Sequence, residues 1–436
     1  MPLRPPPTSP LPPPSPAAFA FATSLPLWRA VTPCRSLSAR PPPPHRHARS
    51  RRRYAAMALP PLLPRSEPAA AAAPPPPTSS TLTTPPTADG TQLHLTAWTR
   101  SSTGDGIPPP GTPPTVIIIH HGMGEHGARY ARVAAALLAR VPAVVGVYAH
   151  DARGHGRSPG RRGLLKSSAV AASDWVSTVL PAIGGLLPWG EEGVRVVLLG
   201  HSMGGLVLAT VAAGDAAAPA AALSAGRAAA AAAAGETAGG EVVVAGLVFS
   251  SAALRIRAPG PLRAVLPLAK AVAAIGFAAV PVPSGITPSQ LTHDPAEAER
   301  IREDRLMHTT TCVAMGADLV STGQRHTATI AEAARGEGGG CLATAPGVGV
   351  LVLACPDDPL CDATGSAALV AALGGDSPGT RVTAVTNDAG GLHEWLWEDD
   401  AHARAAWYDA VAAFVAGAGG GGGGLPTPGV ASPGGV

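Results

Sequence analysis

Short apolar runs separated by helical patterns organise this chain from about residue 89 onward. Thr115–His120 (TVIIIH), Ala143–Ala149 (AVVGVYA), Arg195–Gly200, Gly246–Ser250 and Val348–Ala354 (VGVLVLA) each have the length and uniform apolarity of a strand buried on both faces. Helical spacing follows at Tyr130–Arg140, Trp175–Leu187 and Thr364–Leu373, and the chain's last pair is a strand at Arg381–Thr386 and a helix at Ala403–Ala416. Asp89-Gly90 is a hairpin-type turn signal ahead of the alternating Leu93, Leu95 and Ala97, and it marks the predicted start of the folded region. Apolar strands alternating with helices predict an α/β domain over residues 88–418 with a mostly parallel, doubly wound sheet.

Two stretches break the rhythm. Residues 216–240 are rich in Ala and Gly and are expected to be a low-complexity surface insertion without chemistry of its own. Residues 252–340 lie between two predicted core strands, carry helical patterning, and are expected to form a cap inserted before the late strands. Within them Leu262–Val282 is unusually apolar, while Lys270 and the prolines Pro267 and Pro281 argue against a membrane-spanning helix. That segment is either an apolar wall of a substrate pocket or a lipid-facing surface.

The candidate chemistry starts at Gly200-His201-Ser202-Met203-Gly204, which joins the apolar run Arg195–Gly200 directly to a helical pattern through Leu206, Val207 and Val211. This strand–turn–helix setting makes Gly-x-Ser-x-Gly a nucleophile turn, with Ser202 lifted to the end of the sheet and Gly200 and Gly204 admitting the tight approach of backbones. A serine nucleophile needs a base, and the base needs an orienting acid. In this order of elements both follow on loops after late strands. Cys355-Pro356-Asp357-Asp358-Pro359-Leu360-Cys361-Asp362 leaves one such strand, and Asn387-Asp388-Ala389-Gly390-Gly391-Leu392-His393 leaves the other. His393 suits the base, His402 suits it less because it falls at the start of the final helix, and one of the nearby carboxylates suits the acid.

Composition narrows the setting. The chain has 436 residues, is 46% hydrophobic, and carries a formal net charge of +3. Residues 1–66 contain no Asp or Glu and many Arg, the composition of an organellar transit peptide, with chloroplast favoured over mitochondrion and over an untargeted disordered extension of a cytoplasmic or membrane-associated protein. Residues 67–87 follow as a Pro/Ala-rich linker, and residues 419–436 as a Gly-rich disordered tail. Without the first segment the rest is mildly acidic, which excludes a case for nucleic-acid binding. The five cysteines match no zinc spacing and no secreted disulfide rhythm.

His121-Gly122-Met123-Gly124-Glu125-His126 with Arg129-Tyr130, Asp151-Ala152-Arg153-Gly154-His155-Gly156-Arg157-Ser158, Gly160-Arg161-Arg162-Gly163, Gly200–Gly205 and Leu360-Cys361-Asp362 together resemble the monoacylglycerol lipase and lysophospholipase-like family of serine hydrolases, which includes plant caffeoylshikimate esterases. The resemblance spans roughly Asp89 to Ala416 and implies the α/β-hydrolase fold. It implies Ser202 as nucleophile, His393 as base and Asp358 as acid, since the family's acid precedes a second Asp, here Asp362, by four residues. Cys355 stands where the family usually has Gly, which keeps Asp357 in view beside Asp358.

The resemblance further implies backbone N–H groups of Met123 and Met203 as oxyanion donors, with Gly122, Gly200, Gly204, Glu125 and His126 supporting elbow and loop. His155 and Arg153 are expected to hold their Gly-bounded loop in shape, His120 and His121 to be a strand-end pair satisfied by backbone, and Asp304 and Arg305 to be an ordinary solvated pair. The implied reaction is carboxylic ester hydrolysis through an acyl-enzyme, with no metal or cofactor, on a lipid or small-molecule ester, and with peripheral membrane contact through the cap. A phenolic-ester hydrolase is the alternative substrate class. A small-molecule receptor that keeps the triad is the alternative of another kind, though such receptors carry a different motif from HGMGEH.

Overall fold

The computed structural model describes residues 77–100, 112–187, 193–257, 267–337, 339–374, 381–387, 390–399 and 401–417. The expected transit peptide (1–66), the Gly-rich tail (419–436) and Leu262 at the start of the apolar cap segment lie outside these residues. In chain order the strands of the main sheet are β1 (Thr78–Thr83), β2 (His94–Thr99), β3 (Thr115–His120), β4 (Val144–His150), β5 (Val194–His201), β6 (Val242–Ser250), β9 (Gly349–Ala354) and β10 (Arg381–Thr386). The segment from β6 to β9 contributes the small antiparallel pair β7 (Pro281–Pro283) and β8 (Thr310–Cys312).

The eight strands lie in the order β1-β2-β4-β3-β5-β6-β9-β10. All pairings from β4 through β10 are parallel, and β1 and β2 add antiparallel at one edge. Helices α1 (Ala131–Arg140) and α10 (Ala401–Gly417) cover one face. The other carries α2 (Ser168–Asp174), which runs through a π-helical turn at Trp175–Val179 into α3 (Leu180–Gly184), with α4 (Met203–Ala212), α5 (Ala218–Ala233) and α9 (Ala363–Ala372). Two apolar cores follow from this layering. One gathers Ile117, Ile119, Val133, Leu137, Trp407 and Phe414; the other gathers Val116, Ile118, Trp175, Val196, Leu198 and Val207. Alternate residues of TVIIIH thus feed opposite cores, as a strand buried on both faces requires.

From β3 the chain moves outward to β4, then crosses back over β3 to β5, so the winding reverses between β3 and β5. His120 of β3 sits beside Gly200 of β5 in register. Open α/β sheets form their crevice outside the carboxyl ends of the strands at such a reversal, and here it receives the Gly122–Gly124 loop and Ser202.

Two sequence expectations are corrected. The linker assigned to residues 67–87 contains β1, and the Asp89-Gly90 turn joins β1 to β2 rather than opening the domain. All six residues of β1 are exposed, so no apolar alternation betrays it, and pairing with β2 alone makes it a strand. The Ala/Gly-rich insertion at 216–240 is no surface excursion either. Its helix α5 buries Leu223, Arg227 and Ala231 and lies against α3 at backbone distance. A Cβ on Gly226 would collide with the Pro181 carbonyl, and one on Gly184 with the Leu223 carbonyl. What resembles low complexity is close packing.

Helices α6 (Pro288–Leu291), α7 (Pro295–Glu303) and α8 (Val313–Ala334), with β7 and β8, occupy the expected cap region. Helix α7 begins at Asp294, whose carboxylate accepts from the Ala296 and Glu297 amides, and ends at Asp304. The apolar segment before it does not pack into the core. Leu268, Ile275 and Phe277 are 64%, 74% and 53% exposed. No helix among the described residues is long and apolar enough to cross a membrane.

Beneath the carboxyl ends of β3 and β4 lies a run of histidine rings. His120 sits 4.7 Å from His150, His121 lies 5.2 Å from His155, and His155 lies 4.7 Å from His308 at the rim. Burial lowers the pKa of all five, to about 3 for His150 and about 4 for His308. These rings are neutral in the folded protein, whereas an unfolded histidine titrates near 6.5. Their contribution is therefore fully present above pH ~6.5 and is lost as pH falls toward their folded pKa values, by roughly 1.4 kcal/mol per pH unit for each fully buried ring. The urea midpoint should accordingly fall steeply between pH 7 and pH 5, and less steeply in a His150→Gln variant. Equal midpoints at the two pH values would refute this.

Candidate active site

Strand β5 is apolar from Val196 through Leu199 and then turns abruptly into α4. Ser202, at the N-cap of α4, has φ 54° and ψ −118°, a left-handed conformation rarely adopted by a residue with a side chain. The surroundings fix it. A Cβ on Gly204 would collide with the His120 carbonyl, and one on Gly200 with the Gly204 carbonyl. The Ser202 amide donates to the Ser250 carbonyl at 3.0 Å, and the Ser202 carbonyl accepts from Ala253 at 2.9 Å. As first residue of α4, Met203 has an N–H without an intrahelical partner.

The loop after β3 runs directly alongside. A Cβ on Gly122 would stand 3.1 Å from Ser202 Cβ and 2.9 Å from Glu125 Oε1. Gly122 N–H already donates to Glu125 Oε1 at 2.6 Å, which leaves Met123 N–H as the next amide on the loop. Glu125 thus pins this loop, as expected, and Tyr130 Oη donates to the same oxygen at 2.9 Å. His126 meets Asp304 of the cap, with Nε2 2.8 Å from Oδ2. Asp304 is therefore no solvated partner of Arg305 but a tie between cap and loop, reinforced by His308 N–H donating to the Gly124 carbonyl at 2.9 Å.

The structure brings Asp358, rather than Asp357, against His393. Asp358 is buried and its Oδ2 lies 2.7 Å from His393 Nδ1, whereas Asp357 is exposed. Asp358 Oδ1 accepts from the Leu360 and Cys361 amides at 2.8 and 2.9 Å, so the carboxylate is held at both oxygens. Burial alone would lower the His393 pKa, but the Asp358 charge and hydrogen bond, with Cys361 adjoining, hold it well above the ordinary value. Asp358 is lowered in turn: burial opposes its charge, and His393 with the two amides outweighs that. His201, between Gly200 and Ser202, packs 5.2 Å from His393 and is kept neutral by burial, its pKa near 3.

Several supporting residues escaped the sequence. Cys355, which departs from the family's usual Gly, donates its thiol to the Gly391 carbonyl, bracing the acid loop against the chain that leads to His393. Burial raises that thiol to about 12, so it remains protonated. Glu398 accepts from Leu392 N–H at 2.8 Å and, through its other oxygen, from His293 N–H at 2.8 Å. Arg129 sits among three carboxylates with its side chain only 7% exposed. It meets Glu125 at 2.6 Å, both oxygens of Glu394 at 2.8 Å, and Glu297 of α7 at 3.1 Å, and its guanidinium stacks 4.3 Å from the Trp397 ring centre. The available signal was His393-Glu394-Trp395-Leu396-Trp397-Glu398: acids flanking a pair of tryptophans enter the interior with them and must be paired.

Two groups have metal-ligand spacing among the described residues, Asp358–Cys361–His393 and Glu125–His201–Glu394. Neither suits a cation. Asp358 is spent on His393 and two amides, and the Arg129 guanidinium already supplies the positive charge between Glu125 and Glu394.

The Hydrolase_4 family model, described as serine aminopeptidase, S33, matches residues 111–231 and 220–400. Human monoglyceride lipase is 36% identical over 126 residues, 29% of this chain and 36% of that protein. The monoacylglycerol lipase of Mycolicibacterium smegmatis is 35% identical over 105 residues, 24% of this chain and 35% of that one. The match thus spans about a third of the length of these curated relatives. In three dimensions the Paleococcus ferrophilus monoacylglycerol lipase aligns with a TM-score of 0.52 at 22% identity, covering 75% of this chain and 99% of that one. A soluble variant of Saccharomyces cerevisiae monoglyceride lipase, crystallised with a substrate analogue, aligns at 0.55 with 15% identity, covering 77% and 94%. These structures share the α/β-hydrolase fold.

A base that must be neutral to act gives kcat/KM that rises with pH through the His393 pKa. Removing the Asp358 charge should move that limb to lower pH and leave the imidazole tautomer uncontrolled. Asp358→Asn should therefore lower kcat by about ten-thousandfold and shift the acid limb downward, while Asp357→Asn leaves both nearly unchanged. A pH–rate profile of each variant checks this.

Proposed function

Since the chain belongs to the Hydrolase_4 family, we propose that it is a serine hydrolase of carboxylic esters whose substrates are single-chain acylglycerols. The observation that carries this reading is the strained Ser202 turn, whose neighbour His201 packs 5.2 Å from the ring of His393, itself held by Asp358. Ser202 Oγ attacks the ester carbonyl as His393 takes its proton. The oxyanion is received by the N–H groups of Met123 and Met203, and His393 then protonates the departing alcohol. Water, activated by the same imidazole, releases the acid.

Esters rather than peptides suit the electrostatics. An aminopeptidase needs a carboxylate to meet the substrate's ammonium group, whereas Glu125, Glu297 and Glu394 are bound to Arg129 and Asp358 to His393. The names of the relatives support an acylglycerol. So does the exposed apolar strip at Leu268, Ile275, Phe277 and Val280, which suits contact between the cap and a lipid surface. The acid-free, Arg-rich residues 1–66 serve in this reading as an organellar address, with plastids as the destination.

Ser202→Ala should abolish both monoacylglycerol hydrolysis and fluorophosphonate labelling in a protein that still melts cooperatively. Retained labelling would place the nucleophile elsewhere. Residues 1–66 fused to a fluorescent protein should carry it into plastids with loss of the segment, and a diffuse, full-length reporter is the opposing result.

A further inference from the structure

Between Asp151 and Asp174 the chain carries five cationic residues and no acid. Arg153 is neutralised there by Asp174 and Asp89. Arg157, Arg161, Arg162 and Lys166 are exposed, and among the described residues no ion pair engages them. Their loop is stiff. Gly154 N–H donates to the Pro159 carbonyl at 3.0 Å, Gly163 N–H to Gly154 at 3.1 Å, and Leu164 N–H to Arg161 at 2.9 Å. The cations are thus presented on a preformed backbone.

This loop packs on the cap strand β8. A Cβ on Gly163 would collide with the Thr310 carbonyl, and Cys312 Sγ donates to the Leu165 carbonyl at 3.3 Å. The other edge of β8 pairs with β7, and Val313 N–H beyond it reaches the Val280 carbonyl at 3.1 Å. The basic loop and the exposed apolar strip therefore flank the same short strand. Residues 267–293 and 305–317 of the cap contain no Asp or Glu, so no acid from these stretches offsets the charge.

We propose that the 157–166 loop and the apolar strip form one bilayer-docking face that selects anionic headgroups, through Arg161, Arg162 and Lys166, while Ile275 and Phe277 enter the interface. The proposal rests on the lipid-surface reading above and adds the headgroup chemistry. An apolar strip of this size is one anchoring signal, and stable peripheral binding takes a second. Each basic side chain near an anionic surface is worth about fivefold in partitioning, so three together contribute on the order of a hundredfold. Guanidinium groups also pair with headgroup phosphates through two parallel hydrogen bonds.

The test uses the full chain, with monoacylglycerol embedded in phosphatidylcholine vesicles with or without phosphatidylserine. Activity on the embedded ester reports a docked, productively oriented site, which mere adhesion of the Arg-rich residues 1–66 does not. In the wild type, kcat/KM should rise with phosphatidylserine and lose that rise at high salt. The triple variant R161Q/R162Q/K166Q should lose the rise while keeping hydrolysis of a short soluble ester and basal activity on phosphatidylcholine vesicles. A triple variant that retains the phosphatidylserine response overturns the proposal. If I275S/F277S abolishes vesicle activity while the wild type shows no preference for phosphatidylserine, docking stands and headgroup selection fails. If I275S/F277S has no effect on vesicle activity, the lipid-surface reading fails and takes this proposal with it.

Discussion

The Arg129 guanidinium is the contact that the working parts of the molecule share. It is stacked on Trp397 and gripped by Glu125 of the Gly122–Gly124 loop, Glu394 next to His393, and Glu297 of the cap. A buried cation among three carboxylates has no solvated alternative inside the fold, and losing one partner would leave an uncompensated charge at a cost of several kcal/mol. These three segments come from separate parts of the chain and share no continuous hydrogen-bonded element. Beside the Glu394 N–H bond to the Leu291 carbonyl and the His126–Asp304 contact, Arg129 adds to their registry through a planar, five-donor group that a lysine could not imitate.

The cap is consequently anchored unevenly. Its α7 end is tied by Glu297, Asp304 and His308 to the loop that carries Gly122 and Met123. Its β7 end displays Ile275 and Phe277 and is held by backbone pairing with β8 and by Val313 N–H donating to the Val280 carbonyl. Buried charge restrains the first end, whereas the second is held by backbone hydrogen bonds to β8 and exposes apolar side chains that protein or lipid could cover equally well. Any movement of the cap is thus expected to pivot about Arg129, leaving the amides near Ser202 undisturbed.

How much of this was legible follows the physics of each element. TVIIIH, the β5 run and the Gly-x-Ser-x-Gly turn announced themselves because two-sided burial and a tight strand–helix turn leave few residue choices. The pairing of His393 with an acid was legible from chain order, but Asp358 against Asp357 rested on resemblance until the carboxylate's burial decided it. Strand β1 was illegible because its six residues bury nothing and owe their shape to a partner. Helix α5 was misread because alanine and glycine carry no periodic signal, although Gly226 and Gly184 are what let two backbones touch. Glu297, Glu394 and Glu398 were missed because a buried acid is recognisable only beside its partner, and the partners lie up to 265 positions away.

The Ser202 backbone has one further consequence. Left-handed φ at a residue with a Cβ is disfavoured by about 1–3 kcal/mol, and glycine would relieve it. The same position that carries the reactive hydroxyl is thus one where thermodynamic selection alone would favour its loss. A lineage under pressure only to remain folded would drift toward an inert scaffold at this site first. Serine keeps this conformation because the Ser250 carbonyl and the Ala253 amide clasp its backbone on either side.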